Sequence, residues 1–269
     1  NTGIYTPSNW DEMHAFRWDA ANGLVDLGTT DVDPWGWGTH NTIPCGVSDD
    51  GRTVVGIAGA GFFGQQPFIA RQGSPTTFLQ TYLVALGVPQ ASAWYFADIV
   101  GLSSDGRTIC GNGYNAASVS EPFFVVLPPL AETYCTSKVN SQGCTPAIAA
   151  TGIASVTSIA PFTISASNEI NNQSGLMYYG FAPLSQHVAG GFKCVASPAV
   201  RTPLQNAGGS PTGTDCSGSY AIDFNAWIQS GIDPALTTGT VVYAQYWTRD
   251  PASVSTLNFS NAVRFTVFP

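Results

Sequence analysis

The segment VSDDGRTVVG at Val47–Gly56 returns as LSSDGRTICG at Leu102–Gly111, displaced by 55 residues. In each copy an Asp-Gly dipeptide accepts the positive φ of a tight hairpin turn. Arg52–Val55 and Arg107–Cys110 then carry β-branched residues out of the turn into a strand. A short variable loop follows, and then a second strand: QQPFIAR at Gln65–Arg71 and EPFFVVL at Glu121–Leu127. Pro67-Phe68 and Pro122-Phe123 keep the same 55-residue spacing. An earlier copy of that second strand, HAFRWD at His14–Asp19, stands 52 residues before the QPF copy and lacks a DG hairpin strand ahead of it.

A period of about 50 residues with about four strands each reads as a propeller-blade-like unit. Propellers close with about four to eight blades, and about two and a half are present here. Three explanations stand side by side: the chain is the end of a longer protein, the units stack without closing, or a neighbouring subunit supplies the missing strand. An unpaired sheet margin is an aggregation liability unless something covers it. One helix is expected over Phe78–Leu86, where Phe78, Leu79, Tyr82, Leu83 and Leu86 form an apolar stripe that packs onto the repeat core.

The LPPLAETY stretch at Leu127–Tyr134 marks a boundary, dividing a β-repeat domain at 1–130 from a disulfide-stapled domain at 131–269. The second part carries no copy of the repeat. It reads as short strands at Phe162–Ala166, Leu176–Phe181, Gly191–Ala196, Tyr220–Phe224, Thr240–Arg249 and Ala262–Phe268. Turn signals between them and the alternation of Val242, Ala244 and Tyr246 against Val241, Tyr243, Gln245 and Trp247 predict a β-sandwich. The expected fold is therefore all-β: an incomplete propeller-like or stacked repeat domain followed by a sandwich.

Only 10% of the 269 residues are charged, against about 25% in an average soluble protein. The net charge of −8 does not neutralise phosphates, which excludes nucleic acid as a main partner. Lys138 and Lys193 are the only lysines, so there is no polybasic membrane patch. The uncharged run from Pro146 to Ile164 holds two prolines, a glycine and several Ser/Thr, and reads as strands and turns, not as a membrane span.

Six cysteines, Cys45, Cys110, Cys135, Cys144, Cys194 and Cys216, without a CxxC pair read as disulfides and not as zinc ligands. The expected pairs are Cys135 with Cys144 and Cys194 with Cys216, closing short loops worth about 3 kcal/mol each, and Cys45 with Cys110 at long range. That chemistry belongs to an oxidising compartment. Beginning at Asn1 without a leader, the chain is expected to be either a processed secreted protein or a piece of a longer one.

On His14-Ala15-Phe16, Arg17-Trp18-Asp19 and the S-x-D-G-R-T hairpins, residues 3–128 resemble HAF-repeat proteins, which are extracellular bacterial proteins. The later copies depart from that pattern, with Gln66-Pro67-Phe68 and Glu121-Pro122-Phe123 in place of HAF. The second half is similar to a C-terminal module of secreted planctomycete-like and myxobacterial proteins. The matching stretches are TYCTSKVNSQGCTP at Thr133–Pro146, DCSGSYAIDFNAWIQSG at Asp215–Gly231 and QYWTRDPAS at Gln245–Ser253, with VRFTVFP fitting the usual end of the module. The resemblance implies export and a surface role, and it transfers no catalytic motif.

Chemical motifs are sparse. His14 is replaced by Gln66 and Glu121 in later copies, which marks a structural position, and His40 and His187 stand apart. Ser48 and Ser103 lie outside any G-x-S-x-G elbow. Of the four glutamates, Glu12, Glu121, Glu132 and Glu169, none sits in a recognisable glycosidase motif. Asp31 and Asp33 in TTDVDPWGWG lack the glycine and distal acid of a calcium loop, and an Asx turn is the plainer reading. Trp35 and Trp37 offer a sugar-stacking platform or blade-core packing, while Trp227 and Trp247 read as sandwich core.

The expectation is a non-enzymatic extracellular or cell-surface structural protein without cofactors, acting in attachment or self-assembly. Its partners are further copies of itself or matrix components. The sharpest version is a filament subunit whose Thr2, Gly3, Ile4, Tyr5 and Thr6 add as a strand to a neighbour's open edge. A carbohydrate-binding module using Trp35 and Trp37, or a secreted hydrolase, is the alternative.

Overall fold

The computed structural model describes residues 14–19, 23–30, 41–59, 65–72 and 74–269. The chain divides into two compact units, Asn1–Pro128 and Pro129–Pro269, and the fold is all-β with several sheets.

The first unit opens with a hairpin of β1 (Phe16–Asp19) and β2 (Gly23–Asp26). A four-stranded antiparallel meander follows: β3 (Thr42–Val47), β4 (Thr53–Ala58), β5 (Gln66–Arg71) and β6 (Thr77–Phe78). Then come α1 (Leu79–Ala85) and a 3-10 turn at Pro89–Ala93. The helix buries Leu79, Tyr82 and Leu83, three of the residues of the expected stripe. The second repeat supplies β7 (Tyr95–Phe96), β8 (Gly101–Leu102), β9 (Thr108–Tyr114) and β10 (Ser120–Val126). Here β9 pairs β10 on one side, with β7 and β8 along the other.

The two S-x-D-G-R-T turns close on the same three kinds of bond. Ser48 Oγ donates to Asp50 Oδ1 at 2.6 Å, and Ser103 Oγ to Asp105 Oδ1 at 2.5 Å. The same aspartates accept from Arg52 N at 2.9 Å and Arg107 N at 3.0 Å. Thr53 N and Thr108 N return a bond to the serine hydroxyls at 3.0 and 2.8 Å. Gly51 and Gly106 take φ of 68° and 69°, the left-handed conformation that an L side chain resists.

A second signature of the repeat is a cross-strand glycine–aromatic pair. Gly56 faces Phe68 between β4 and β5, and Gly111 faces Phe123 between β9 and β10. Each ring lies where a side chain on the glycine would stand. A Cβ there would meet Phe68 Cε1 at 2.6 Å or Phe123 Cε1 at 2.7 Å, and would press on the carbonyls of Ile43 or Asp98.

Successive repeats pack through the turns. Asp49 N donates to Ser104 O at 2.8 Å, and a Cβ on Gly106 would lie 2.8 Å from Thr53 Oγ1. One repeat earlier, Arg17 Nη1 reaches Gly51 O at 3.4 Å. Ala15, with Leu27 beside it, packs into one apolar cluster with Val54, Ala58 and Phe68.

The second unit contains β11 (Glu132–Tyr134), β12 (Ala147–Thr151), β13 (Thr163–Glu169), β14 (Ser174–Gly180), β15 (Pro183–Val188), β16 (Gly191–Val195), β17 (Val200–Arg201), β18 (Gln205–Asn206), β19 (Gly218–Asp223), α2 (Phe224–Gln229), β20 (Val241–Arg249) and β21 (Leu257–Thr266). One sheet runs β11-β21-β20-β14, with β17 and β18 on the outer side of β14, and it faces a sheet of order β12-β13-β19. Val242, Ala244 and Tyr246 enter the core between the sheets, together with Ile164, Tyr179 and Phe265, whereas Trp247, expected in the core, is only half-buried.

Gln245, on the opposite face, is also fully buried. The β15–β16 hairpin forms a third layer over it: Cys194 N donates to Gln245 Oε1 at 3.0 Å, and Gln245 Nε2 donates to Phe192 O at 2.9 Å and Ser260 O at 2.7 Å. Every polar atom of the buried amide therefore has a partner, as burial requires. Helix α2, which the strand pattern did not announce, starts where Asp223 caps it, accepting from Asn225 N at 3.1 Å and Ala226 N at 3.4 Å.

The cysteine pairing differs from the expectation. The bonds are Cys135–Cys194 and Cys144–Cys216, spanning 59 and 72 residues. The loop between Cys135 and Cys144 needs no covalent staple, because Asn140 Oδ1 accepts from Gln142 N and Cys144 N, each at 3.0 Å. Tyr134 Oη donates to Cys194 O at 2.7 Å, setting β11 against the third layer and Cys135 beside Cys194. Cys45 and Cys110 are free thiols. Cys45 lies exposed at a bulge in β3, while Cys110 lies on β9 opposite Gly101 of β8 and Phe124 of β10, in a different sheet.

Candidate functional site

The two repeats hold equivalent side chains in unequal surroundings. On one face, Val54 and Phe68 of the first copy and Ile109 and Phe123 of the second are all buried. On the other face the copies diverge. Cross-strand partners Val55–Ile69 and Thr53–Arg71 are buried, whereas Cys110–Phe124 and Thr108–Val126, in the same register, are not. Ile69 is 1% exposed and Phe124 is 69% exposed. The cause is the neighbour. Leu102 of the second repeat packs near Gly46 and Val55, and Tyr82 of α1 accepts from Arg71 Nη1 at 3.0 Å. Among the described residues, nothing of that kind covers Phe124 and Val126.

The edge of this sheet differs in the same way. Strand β5 is flanked by β6, with Phe68 opposite Phe78 and Ile69 opposite Thr77. Strand β10 has no partner on its outer side among the described residues. At the other end of the array, cross-strand partners Trp18 and Leu24 share a face with Phe16, and all three are exposed, Trp18 by 68%.

The polar candidates do structural work. Ser48 and Ser103 hold their turns through Asp50 and Asp105. Burial opposes ionisation of Asp50, but hydrogen bonds from Ser48 and Arg52 N outweigh it and hold the carboxyl below its usual range. The bonds from Ser103 and Arg107 N do the same for Asp105. His14 Nδ1 lies 2.8 Å from Asp26 Oδ2, and His187 meets the Phe192 ring edge-on. Glu132 pairs with Arg264 at 3.4 Å, and Glu121 stands exposed on β10. Trp227 Nε1 donates to Tyr179 Oη at 3.1 Å, and Arg201 stacks on Trp247 at 5.3 Å. The expected assembly strand Thr2, Gly3, Ile4, Tyr5 and Thr6 lies outside the described residues, as do Glu12, Asp31, Asp33, Trp35, Trp37 and His40.

Glu169 is the exception among the glutamates. It is 1% exposed at the end of β13, accepting from Thr248 Oγ1 at 3.0 Å. Burial pushes its carboxyl up to about 7, with the charge of Asp250 adding to the effect and the Thr248 bond opposing it. Asp250 is itself fully buried and accepts from Ser141 N at 2.8 Å. Asp250 lies in the QYWTRDPAS stretch, to which the sequence assigns no chemistry, and only the meeting of the two sheets brings it to Glu169.

Among the described residues no three His, Cys, Asp or Glu side chains gather as a metal cluster, and no helix is long and apolar enough to cross a membrane. No family model, no curated protein and no solved structure matches the chain.

Proposed function

We propose that the chain is a non-enzymatic extracellular structural subunit that assembles end to end through its repeat array. The observation that carries this reading is the bare outer face of the second repeat, where Phe124 and Val126 stand exposed at positions that a following repeat buries in the first. A second copy brings the complementary end, the Phe16, Trp18 and Leu24 face of β1 and β2. A contact between unlike ends that does not close yields an open filament. Thr2–Thr6 of the neighbour adds along the outer edge of β10, which has no partner among the described residues, as β6 does along β5. Two disulfides suit an oxidising, extracellular-type environment, in keeping with the likeness to exported HAF-repeat proteins.

Each large apolar side chain covered on assembly contributes about 2 kcal/mol, so Phe124→Asp raises the concentration needed for assembly by more than about tenfold. Light scattering and electron microscopy of the full chain read this out. The decisive arm mixes copies carrying Phe124→Asp with copies carrying Trp18→Asp. Each retains one intact end, so the mixture forms dimers and no polymers. Deleting residues 1–9 tests the added strand separately and shortens the filaments. A monodisperse monomer at high concentration, or filaments indifferent to Phe124→Asp, overturns the reading. The net charge of −8 opposes association, so assembly increases with ionic strength.

A further inference from the structure

Glu169 belongs to β13 in one sheet of the second unit. Asp250 directly follows β20, and Asn258 lies in β21, both in the facing sheet. Thr248 and Asn258 are directly opposed across β20 and β21, so their side chains leave the same face. Thr248 reaches Glu169 from that face, and Asn258 is therefore aimed at the same place. Glu169, Asp250 and Asn258 are 1%, 0% and 1% exposed.

Each keeps an oxygen without a hydrogen-bond partner: Glu169 Oε1, Asp250 Oδ1 and Asn258 Oδ1. The Asn258 amide nitrogen is unpartnered too. Removing a carboxylate from water costs several kcal/mol unless a counter-charge meets it. Among the described residues no Lys, Arg or His pairs with either acid. Lys138 directs its ammonium to Ser253 Oγ, Ser255 Oγ and Leu257 O instead.

We propose that Glu169, Asp250 and Asn258 bind a hard divalent cation, calcium, between the two sheets at one end of the second unit. Two carboxylates balance the ion's charge, and the donors are all oxygens, which calcium prefers and zinc or copper does not. Calcium takes about six to eight oxygens, from carboxylates, amide carbonyls and water together, and these three side chains supply the first of them.

The second oxygens of the ligands are already held. Glu169 Oε2 takes the Thr248 hydroxyl and Asp250 Oδ2 takes Ser141 N, the outer partners that orient ligating carboxylates in metal sites. Asn140 Nδ2 donates to Asn168 O at 3.3 Å, next to Glu169, and the Cys144–Cys216 bond ties the same loop to the start of β19.

The test uses the full chain, stripped with a chelator and dialysed against calcium, with metal counted by plasma spectrometry and folding followed by near-ultraviolet circular dichroism. About one calcium per chain is expected, with a rise in the melting temperature that chelator reverses. Glu169→Gln removes one charge without changing shape; the variant folds and loses calcium affinity by at least about tenfold. The double variant Asp31→Asn, Asp33→Asn keeps the wild-type stoichiometry, which separates this site from the D-x-D segment. Folded wild-type protein that retains no calcium overturns the proposal. So does Glu169→Gln binding as wild type, or loss of all binding in the Asp31, Asp33 variant. Should Glu169→Gln fail to fold, the wild-type stoichiometry and the Asp31, Asp33 variant decide the matter alone.

Discussion

Removing either disulfide lowers the stability of the second unit by about 4 kcal/mol, and reducing both leaves it largely unfolded at ordinary temperature. The estimate follows from loop closure: the bonds span 59 and 72 residues, and cross-links over loops of that length constrain the unfolded chain by about 4 kcal/mol each. They also act on different layers. Cys135–Cys194 fastens the hairpin that covers Gln245, while Cys144–Cys216 ties the Asn140 loop to the start of β19. Urea unfolding of the double variants Cys135→Ser, Cys194→Ser and Cys144→Ser, Cys216→Ser, followed by tryptophan fluorescence, measures each contribution. The unreduced, denatured chain should titrate with two free thiols, Cys45 and Cys110. A count of zero, or a peptide map linking Cys135 to Cys144, refutes the pairing and with it the magnitude, because a short loop is worth about 3 kcal/mol.

Gly56→Ala and Gly111→Ala each destabilise the first unit by about 3 kcal/mol, out of proportion to the single methyl added. Alanine is ordinarily a mild replacement for glycine in a strand, and where the backbone conformation allows it the change stabilises by up to about 1 kcal/mol. Here the methyl would occupy the space taken by the Phe68 or Phe123 ring and would also press on a backbone carbonyl. The ring can be trimmed but the carbonyl cannot move without shifting its backbone segment, so overpacking reaches the upper part of its usual range of about 1–3 kcal/mol. Phe68→Leu in the Gly56→Ala background therefore restores only part of the loss. Gly87→Ala is the control: it lies in open space, though at a φ of 83°, and costs about 1 kcal/mol through conformation alone. Thermal and urea unfolding of the four variants give the comparison; equal losses at Gly56 and Gly87 would remove the glycine–aromatic pair as a determinant of the repeat.

Much of the fold follows from patterns within a few residues of each other. The S-x-D-G-R-T turns close on their own side chains, so Ser48, Asp50 and Gly51 carry the hairpin wherever they stand. The stripe on α1 and the alternation in β20 are likewise periodicities of a single element, visible without knowing what it meets. The sites are harder because they are made by encounters. Arg71 and Val126 occupy equivalent positions, yet one is buried and the other exposed, since among the described residues only the first has another repeat and α1 beyond it. Gln245 looks like a solvent-facing residue until β15 and β16 fold across it. Glu169 is one of four glutamates without a motif, and its burial beside Asp250 arises from two sheets meeting at one end.

The amino-acid order by itself determined the all-β class, the 55-residue recurrence with its turn chemistry, and the helix after the first repeat. These rest on backbone dihedral preferences and on periods of two and 3.6 residues, which act over short stretches of chain. Tertiary structure alone decided which cysteines bond, which face of the array is exposed, and which acids are buried beside each other. Those outcomes depend on distances between residues far apart in the chain. Such distances are set by the mutual packing of whole sheets and not by any local preference.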